Sequence, residues 1–233
     1  MHKPLDERDV GNFYEQLAFK LQTARIAQRR LDLYLASGLN IVRAYIEPNE
    51  NRVSDMLAHL LDPKGLHGQG DRFLRLFLET VPHPNIPFRE GRTVNVSREA
   101  RTSLERKMDI LLDFDGEEAI ALENKIDARD QDNQVNHYCN ELEWKYKGKY
   151  VLFYLTPQGK APDSIEADKR LSLEKERKLI CISYRSHIGK WLELSIRQSE
   201  AEKVRWFLKD LAEYVFNDIV GRDSDGEVGH NVE

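Results

Sequence analysis

Cysteine is almost missing from this chain. Cys139 and Cys181 stand far apart, too few for a disulfide framework, a four-cysteine zinc site or a cysteine-held iron–sulfur cluster. Long apolar runs are absent as well: no stretch of 18 to 20 uncharged apolar residues occurs, which argues against a spanning helix. The opening MHKPLDERDV has no apolar core of a secretory signal. These absences together predict a soluble, unsecreted protein of the reducing cytosol with no membrane partner. A basic excess is lacking too, since 35 Lys and Arg face 40 Asp and Glu for a net charge of -5. That sign excludes a protein that coats nucleic acid electrostatically. No G-x-x-x-x-G-K-[ST] loop, G-x-S-x-G elbow or H-E-x-x-H helix is found, which removes the NTPase, serine-hydrolase and zincin readings.

What is present is a change of hydrophobic period along the chain. Through residue 46 the apolar positions Val10, Phe13, Leu17, Leu21, Ala24 and Leu31 recur at helical spacing, predicting one long helix or two short ones. Met56, Leu57, Leu60 and Leu61 predict a helix that starts after Pro48-Asn49 and stops at Asp62-Pro63. Phe73, Leu74, Phe77 and Leu78 predict a third, ended by the prolines of VPHPNIPF. The period then falls to two. Residues 92 to 98 alternate weakly, and Met108, Ile110, Leu112 and Phe114 alternate cleanly. After Asp115-Gly116 comes a strand with Ile120, Leu122, Asn124 and Ile126 on one face and Ala119, Ala121, Glu123 and Lys125 on the other. A polar helix over about 130 to 146 precedes YVLFYLT, an apolar run expected of a strand covered on both faces. Residues 157 to 177 read as a Pro/Gly-punctuated, charged excursion; KLICISY is a further strand, and helices over about 187–197 and 200–219 close the domain. The expected division is a helical extension over 1–46, an α/β domain over 47–220, and a Gly/Asp-rich disordered tail over 221–233.

Glu123 and Lys125 carry the chemical signal. Two charges on one face of an otherwise apolar strand are costly unless they pair or face solvent, and a solvated face is the ordinary explanation of an isolated E-x-K. The partner strand decides. A two-residue Asp-Gly turn would put Asp109 and Glu123 on opposite faces, whereas an odd loop such as Asp115 to Glu117 sets them opposite each other on the same face. In that register two like charges converge, a divalent cation would relieve their repulsion, and oxygen ligands of this kind suit Mg²⁺. Lys125 beside them could orient an attacking water or offset charge at phosphorus.

Asp109 followed by Glu123-Asn124-Lys125 resembles the motif of the PD-(D/E)XK nuclease superfamily, with Met108 in place of the motif's proline. The likeness covers about residues 39 to 156 and is similar to a bacterial and phage branch of these nucleases. It implies an α/β, restriction-endonuclease-like core with a central mixed β-sheet flanked by helices, plus the N-terminal helical extension. It implies further that Glu50, opening the helix ENRVSDMLAHLL, joins Asp109, Glu123 and Lys125 in catalysis. Asp109, Glu123, Glu50 and the Asn124 carbonyl would hold Mg²⁺, with Mn²⁺ able to stand in. Gln134 and Tyr138, four apart on one helix face, are similar to a Q-x-x-x-Y element that contacts DNA or positions the site; Gln131 is a weaker member of that face.

In Leu66-His67-Gly68-Gln69-Gly70 the glycines allow a tight turn, and His67 is expected to hold that loop or touch phosphate. Arg101, Arg106 and Lys107 could meet a nucleic-acid backbone, while Lys145, Lys147 and Lys149 read first as a solvated helix end. The function that follows is hydrolysis of DNA phosphodiester bonds by a metal-dependent enzyme, in restriction, repair or phage defence. The alternative is a catalytically inactive nuclease-fold protein that binds nucleic acid or assembles with partners. The N-terminal helices could make a homodimer, as two cuts on a duplex would favour, or could equally pack on the sheet. The negative net charge does not oppose this reading. Arg222 against Asp223, Asp225, Glu227 and Glu233 in the tail, with the three acids of the candidate site, accounts for it.

Overall fold

The computed structural model describes residues 7–36, 38–82, 92–102, 106–127 and 130–221; the expected disordered tail beyond Gly221 lies outside them. It divides into two compact units, Met1–Asn40 and Ile41–Glu233. The first contains a single uninterrupted helix, α1 (Glu7–Leu35), of 29 residues. Among the described residues no helix is long and apolar enough to cross a membrane.

The second unit is built on five strands: β1 (Val94–Arg101), β2 (Lys107–Phe114), β3 (Glu118–Asn124), β4 (Tyr150–Thr156) and β5 (Leu179–Ser183). They lie side by side in chain order. The first three run antiparallel, and β3, β4 and β5 are mutually parallel. Parallel neighbours require crossovers, and these contain α4 (Gln134–Tyr146) between β3 and β4 and α5 (Ala167–Lys175) between β4 and β5. Every residue of β4 is buried, as its unbroken apolar run predicts for an interior strand.

Four helices, α2 (Glu50–Leu61), α3 (Arg72–Thr80), α6 (Gly189–Gln198) and α7 (Glu202–Tyr214), supply the larger core. There Val53, Leu57, Phe73, Phe77, Trp191 and Leu208 meet Ile110, Leu112, Ile120, Leu122 and Phe153 of the sheet. The opposite face carries a smaller core of Ala119, Ala121, Leu152 and Tyr154 under Val135, Tyr138, Cys139 and Leu142 of α4. Consecutive residues of β3 therefore look into different cores.

Local chemistry fixes the helix ends. The Asn49 side chain accepts from the Arg52 N–H at 3.0 Å and caps α2. Asp62 and Val81, each preceding a proline, are extended, which stops α2 and α3. Three features differ from the expectation. The helix after β3 starts at Gln134 rather than 130, because Asn133 adopts a left-handed conformation (φ 54°). The charged excursion contains α5, which sequence periodicity does not reveal because Leu173 is its only buried residue. Single π-helical turns bracket the closing helices, Tyr184–Ile188 leading into α6 and Val215–Val220 continuing from α7.

Candidate active site

The β2–β3 hairpin sets the site. Its loop is the odd one, Asp115 to Glu117, with Asp115 and Gly116 at positive φ (58° and 76°) and the Gly116 N–H bonded to Asp113 Oδ1 at 2.6 Å. Ile110 is consequently opposite Leu122, and the same register carried one step further sets Asp109 opposite Glu123. Past that pair, the Asp109 side chain takes the place a ladder carbonyl would fill: its Oδ2 accepts the Asn124 N–H at 2.8 Å. On its other edge β3 continues its parallel pairing, the Lys125 N–H bonding the Leu155 carbonyl at 2.8 Å.

Glu123 is 1% exposed, on the face covered by α4. Its Oε1 accepts from Lys125 Nζ at 2.9 Å and from Gln134 Nε2 at 2.7 Å, while the buried Oε2 has no hydrogen-bond partner. Burial, reinforced by the Asp109 charge, pushes the Glu123 carboxyl up to about 8 despite the opposing pull of Lys125. Asp109 is raised too, by burial, with the Asn124 N–H, Lys125 and Arg98 working against the shift. Burial alone would lower the Lys125 ammonium; its neighbours Glu123, Glu50 and Asp109 together outweigh it and raise the lysine.

Glu50 reaches this place from the first turn of α2, its Oε2 accepting the Ile126 N–H at 2.8 Å. Glu50, Asp109, Glu123 and Lys125, scattered over the sequence, are thus brought together where α2 meets the ends of β2 and β3. Arg98 of β1 fastens that corner, donating to the Asp109 carbonyl, to the Asn51 carbonyl (3.1 Å) and to Asp55 Oδ1 (2.6 Å).

The donor set suits a hard divalent cation. Two carboxylates meet at a buried position with one oxygen unpartnered, and Mg²⁺ takes one or two protein carboxylates and completes its shell with water and substrate oxygens. Among the described residues no group of three or more His, Cys, Asp or Glu side chains that could hold a metal ion occurs. Of the expected ligands, Glu50 already has one carboxylate oxygen accepting the Ile126 N–H.

Nearly the whole of this second unit is covered by one comparison: the family model for the PD-(D/E)XK nuclease superfamily matches residues 39–215. The chain belongs to the PD-(D/E)XK nuclease superfamily. Its mixed sheet flanked by helices is the restriction-endonuclease-like core. A comparison with curated proteins gave no match, and neither did one with solved structures.

Three other expectations for this PD-(D/E)XK chain are altered by burial. Gln134 and Tyr138 are buried and turned inward: Gln134 bridges Glu123 to the Tyr138 hydroxyl (3.0 Å), which donates to the Lys107 carbonyl at 2.5 Å. Of the two roles the Q-x-x-x-Y pattern allows, contacting DNA or positioning the site, this geometry fits positioning. His67 is buried, with both ring nitrogens occupied. Nδ1 accepts the Gln69 N–H at 3.0 Å, which leaves Nε2 to donate to the Asp62 carbonyl at 2.9 Å. Both ring nitrogens are thus spent on holding the loop; Gly65 is required beside it, because an added Cβ would lie 2.6 Å from the His59 carbonyl oxygen. Arg106 is partly buried and donates to the Asp132 carbonyl at 3.0 Å, whereas Arg101 and Lys107, opposite each other on β1 and β2, are exposed, Lys107 pairing with Glu99.

Ser54, Arg98 and Tyr184 belong to this corner without having been singled out from the sequence. Ser54 had a signal: a hydroxyl adjacent to Val53 on the core-facing side of α2, four residues after Glu50. Arg98 and Tyr184 had none beyond their positions in predicted strands.

Proposed function

We propose that this chain is a Mg²⁺-dependent deoxyribonuclease, with Mn²⁺ as a substitute, that hydrolyses DNA phosphodiester bonds. The observation that carries the reading is the buried Glu123 carboxylate, which has an unpartnered oxygen, stands in register with Asp109 and is bridged to Lys125. Asp109, Glu123 and the Asn124 carbonyl would hold the cation, with Glu50 at its edge. A divalent ion bound there would polarise a phosphoryl oxygen and lower the pKa of bound water. Lys125, kept charged by Glu123, orients the attacking water and offsets charge developing at phosphorus. Gln134 fixes the Glu123 rotamer, and Lys107 offers a phosphate contact, its exposed pair with Glu99 being weak enough to exchange.

The test is a panel of circular and linear, single- and double-stranded DNA, together with RNA, incubated with Mg²⁺ or Mn²⁺. The proposal expects metal-dependent DNA cleavage by the wild type and none by Asp109→Ala or Glu123→Ala. Cleavage by both variants would remove the assigned site. Absence of cleavage with every DNA and both metals would leave a nuclease fold used for binding, and cleavage confined to RNA would replace the substrate.

A further inference from the structure

Asn124 is an unexpected residue for its position. It ends an apolar strand, is 0% exposed, and points into the larger core rather than toward Glu123. A buried amide is costly unless bonded, and asparagine is disfavoured in strands. Here the amide is fully engaged. Nδ2 donates to Ser54 Oγ at 3.0 Å and to the Glu50 carbonyl at 3.2 Å, while Oδ1 accepts from the Tyr184 hydroxyl at 2.8 Å. Ser54 Oγ in turn donates to the same Glu50 carbonyl at 3.0 Å. Tyr184 is itself 0% exposed, at the π-helical turn that follows β5.

These bonds place one residue between two acids. The Asn124 backbone N–H fixes the Asp109 carboxylate, and its side chain fixes the first turn of α2, which carries Glu50. Ile126, two residues on, binds the Glu50 carboxylate itself. Resting on the nuclease reading above, we infer that the Asn124 side chain, backed by Ser54 and Tyr184, is the positioning device that holds Glu50 against the Asp109–Glu123 pair. Glu50 is thereby held beside the Asp109–Glu123 pair before a cation arrives, and the hydroxyls of Ser54 and Tyr184 govern metal affinity without touching metal or substrate.

Three features single out this function over simple core satisfaction. The amide reaches back to a main-chain carbonyl of the acidic residue itself, where a leucine of similar volume would pack with no polar demand. Ser54 bonds that same carbonyl, so Glu50 is restrained twice. Tyr184 comes from the other side of β4, tying three separate elements to one corner.

The test is Mn²⁺ binding, followed directly by titration, for Tyr184→Phe, Ser54→Ala and Ser54→Thr, each compared with wild type and with the same change made in a Glu50→Gln background. Tyr184→Phe and Ser54→Ala are expected to weaken Mn²⁺ binding roughly tenfold, the scale seen when partners of metal ligands are removed. Ser54→Thr, which keeps the hydroxyl, restores most of the loss. In the Glu50→Gln background the further loss shrinks toward none, because the device acts through Glu50. The magnesium concentration for half-maximal cleavage should rise in parallel, with the rate at saturating magnesium changed much less. Variants that lose thermal stability but keep wild-type Mn²⁺ affinity would overturn the inference, as would losses of equal size with and without Glu50. Wild-type Mn²⁺ binding without any cleavage removes only the nuclease reading and leaves this device testable; no Mn²⁺ binding at all removes both.

Discussion

Glu123→Gln turns the electrostatics of the site into a stability measurement. Glutamine matches glutamate in shape, keeps an acceptor for Lys125 and Gln134, and replaces the unpartnered Oε2 with an uncharged group. In the metal-free fold the Glu123 carboxyl titrates at about 8, against an ordinary value near 4.5. The folded state therefore holds a proton that the unfolded chain has released throughout that window, and the Glu123 contribution to stability falls as pH rises from about 4.5 to 8. A tenfold change in proton affinity is worth about 1.4 kcal/mol, so the full cost is a few kcal/mol. Glutamine has no proton to lose and escapes it. The variant and the wild type should unfold at similar temperatures at pH 5 in EDTA and diverge as pH rises. By pH 8.5 the variant should melt roughly 10–20 °C higher, using about 2–4 °C per kcal/mol for a domain of this size. Calorimetry or circular dichroism at a series of pH values provides the assay. A gap independent of pH, or a variant less stable than wild type at pH 8.5, would refute the assignment of a buried carboxyl strained by ionisation.

Further outcomes follow from the same geometry. Mn²⁺ must displace the Glu123 proton, so its affinity should rise with pH below about 8, by up to roughly tenfold per pH unit, with proton release visible as a buffer-dependent calorimetric heat. Gln134→Leu removes a donor to the charged form of Glu123; the pH at which Mn²⁺ binding reaches its plateau should move upward, and an unchanged or lower value would show that Gln134 does not position the carboxylate. His67→Ala should cost about 1–3 kcal/mol in urea unfolding through the loss of two buried hydrogen bonds and the contact with Phe73, yet leave KM for DNA unchanged, whereas a raised KM would restore the phosphate-contact role.

The parts legible in the sequence were those encoded by period and punctuation. Strand alternation on either side of Asp115-Gly116 located β2 and β3, and the Asp62-Pro63 stop located the end of α2. The run YVLFYLT marked the buried β4. The E-x-K strand marked the candidate site because charge inside an apolar run is expensive and so informative. Less legible were features set by tertiary packing. Periodicity cannot show α5, which buries one residue. The spacing of Gln134 and Tyr138 identified a shared helix face but not its direction, and only α4 packing on the Glu123 face shows that both side chains point inward. His67 drew attention as a histidine among glycines, yet the backbone carbonyl and N–H that occupy its ring become neighbours only when the loop folds. Arg98 and Tyr184 reach the site from segments remote in sequence, where no local pattern distinguishes them from their neighbours.

The central claim is that Asp109 and Glu123 jointly hold a divalent cation. Titration of the purified protein with Mn²⁺ at pH 8, reading free ion by electron paramagnetic resonance, tests it independently of substrate. The account predicts saturable binding by the wild type that is lost in both Asp109→Ala and Glu123→Ala while each variant remains folded. Undiminished binding in either folded variant, or no binding by the wild type, would contradict it.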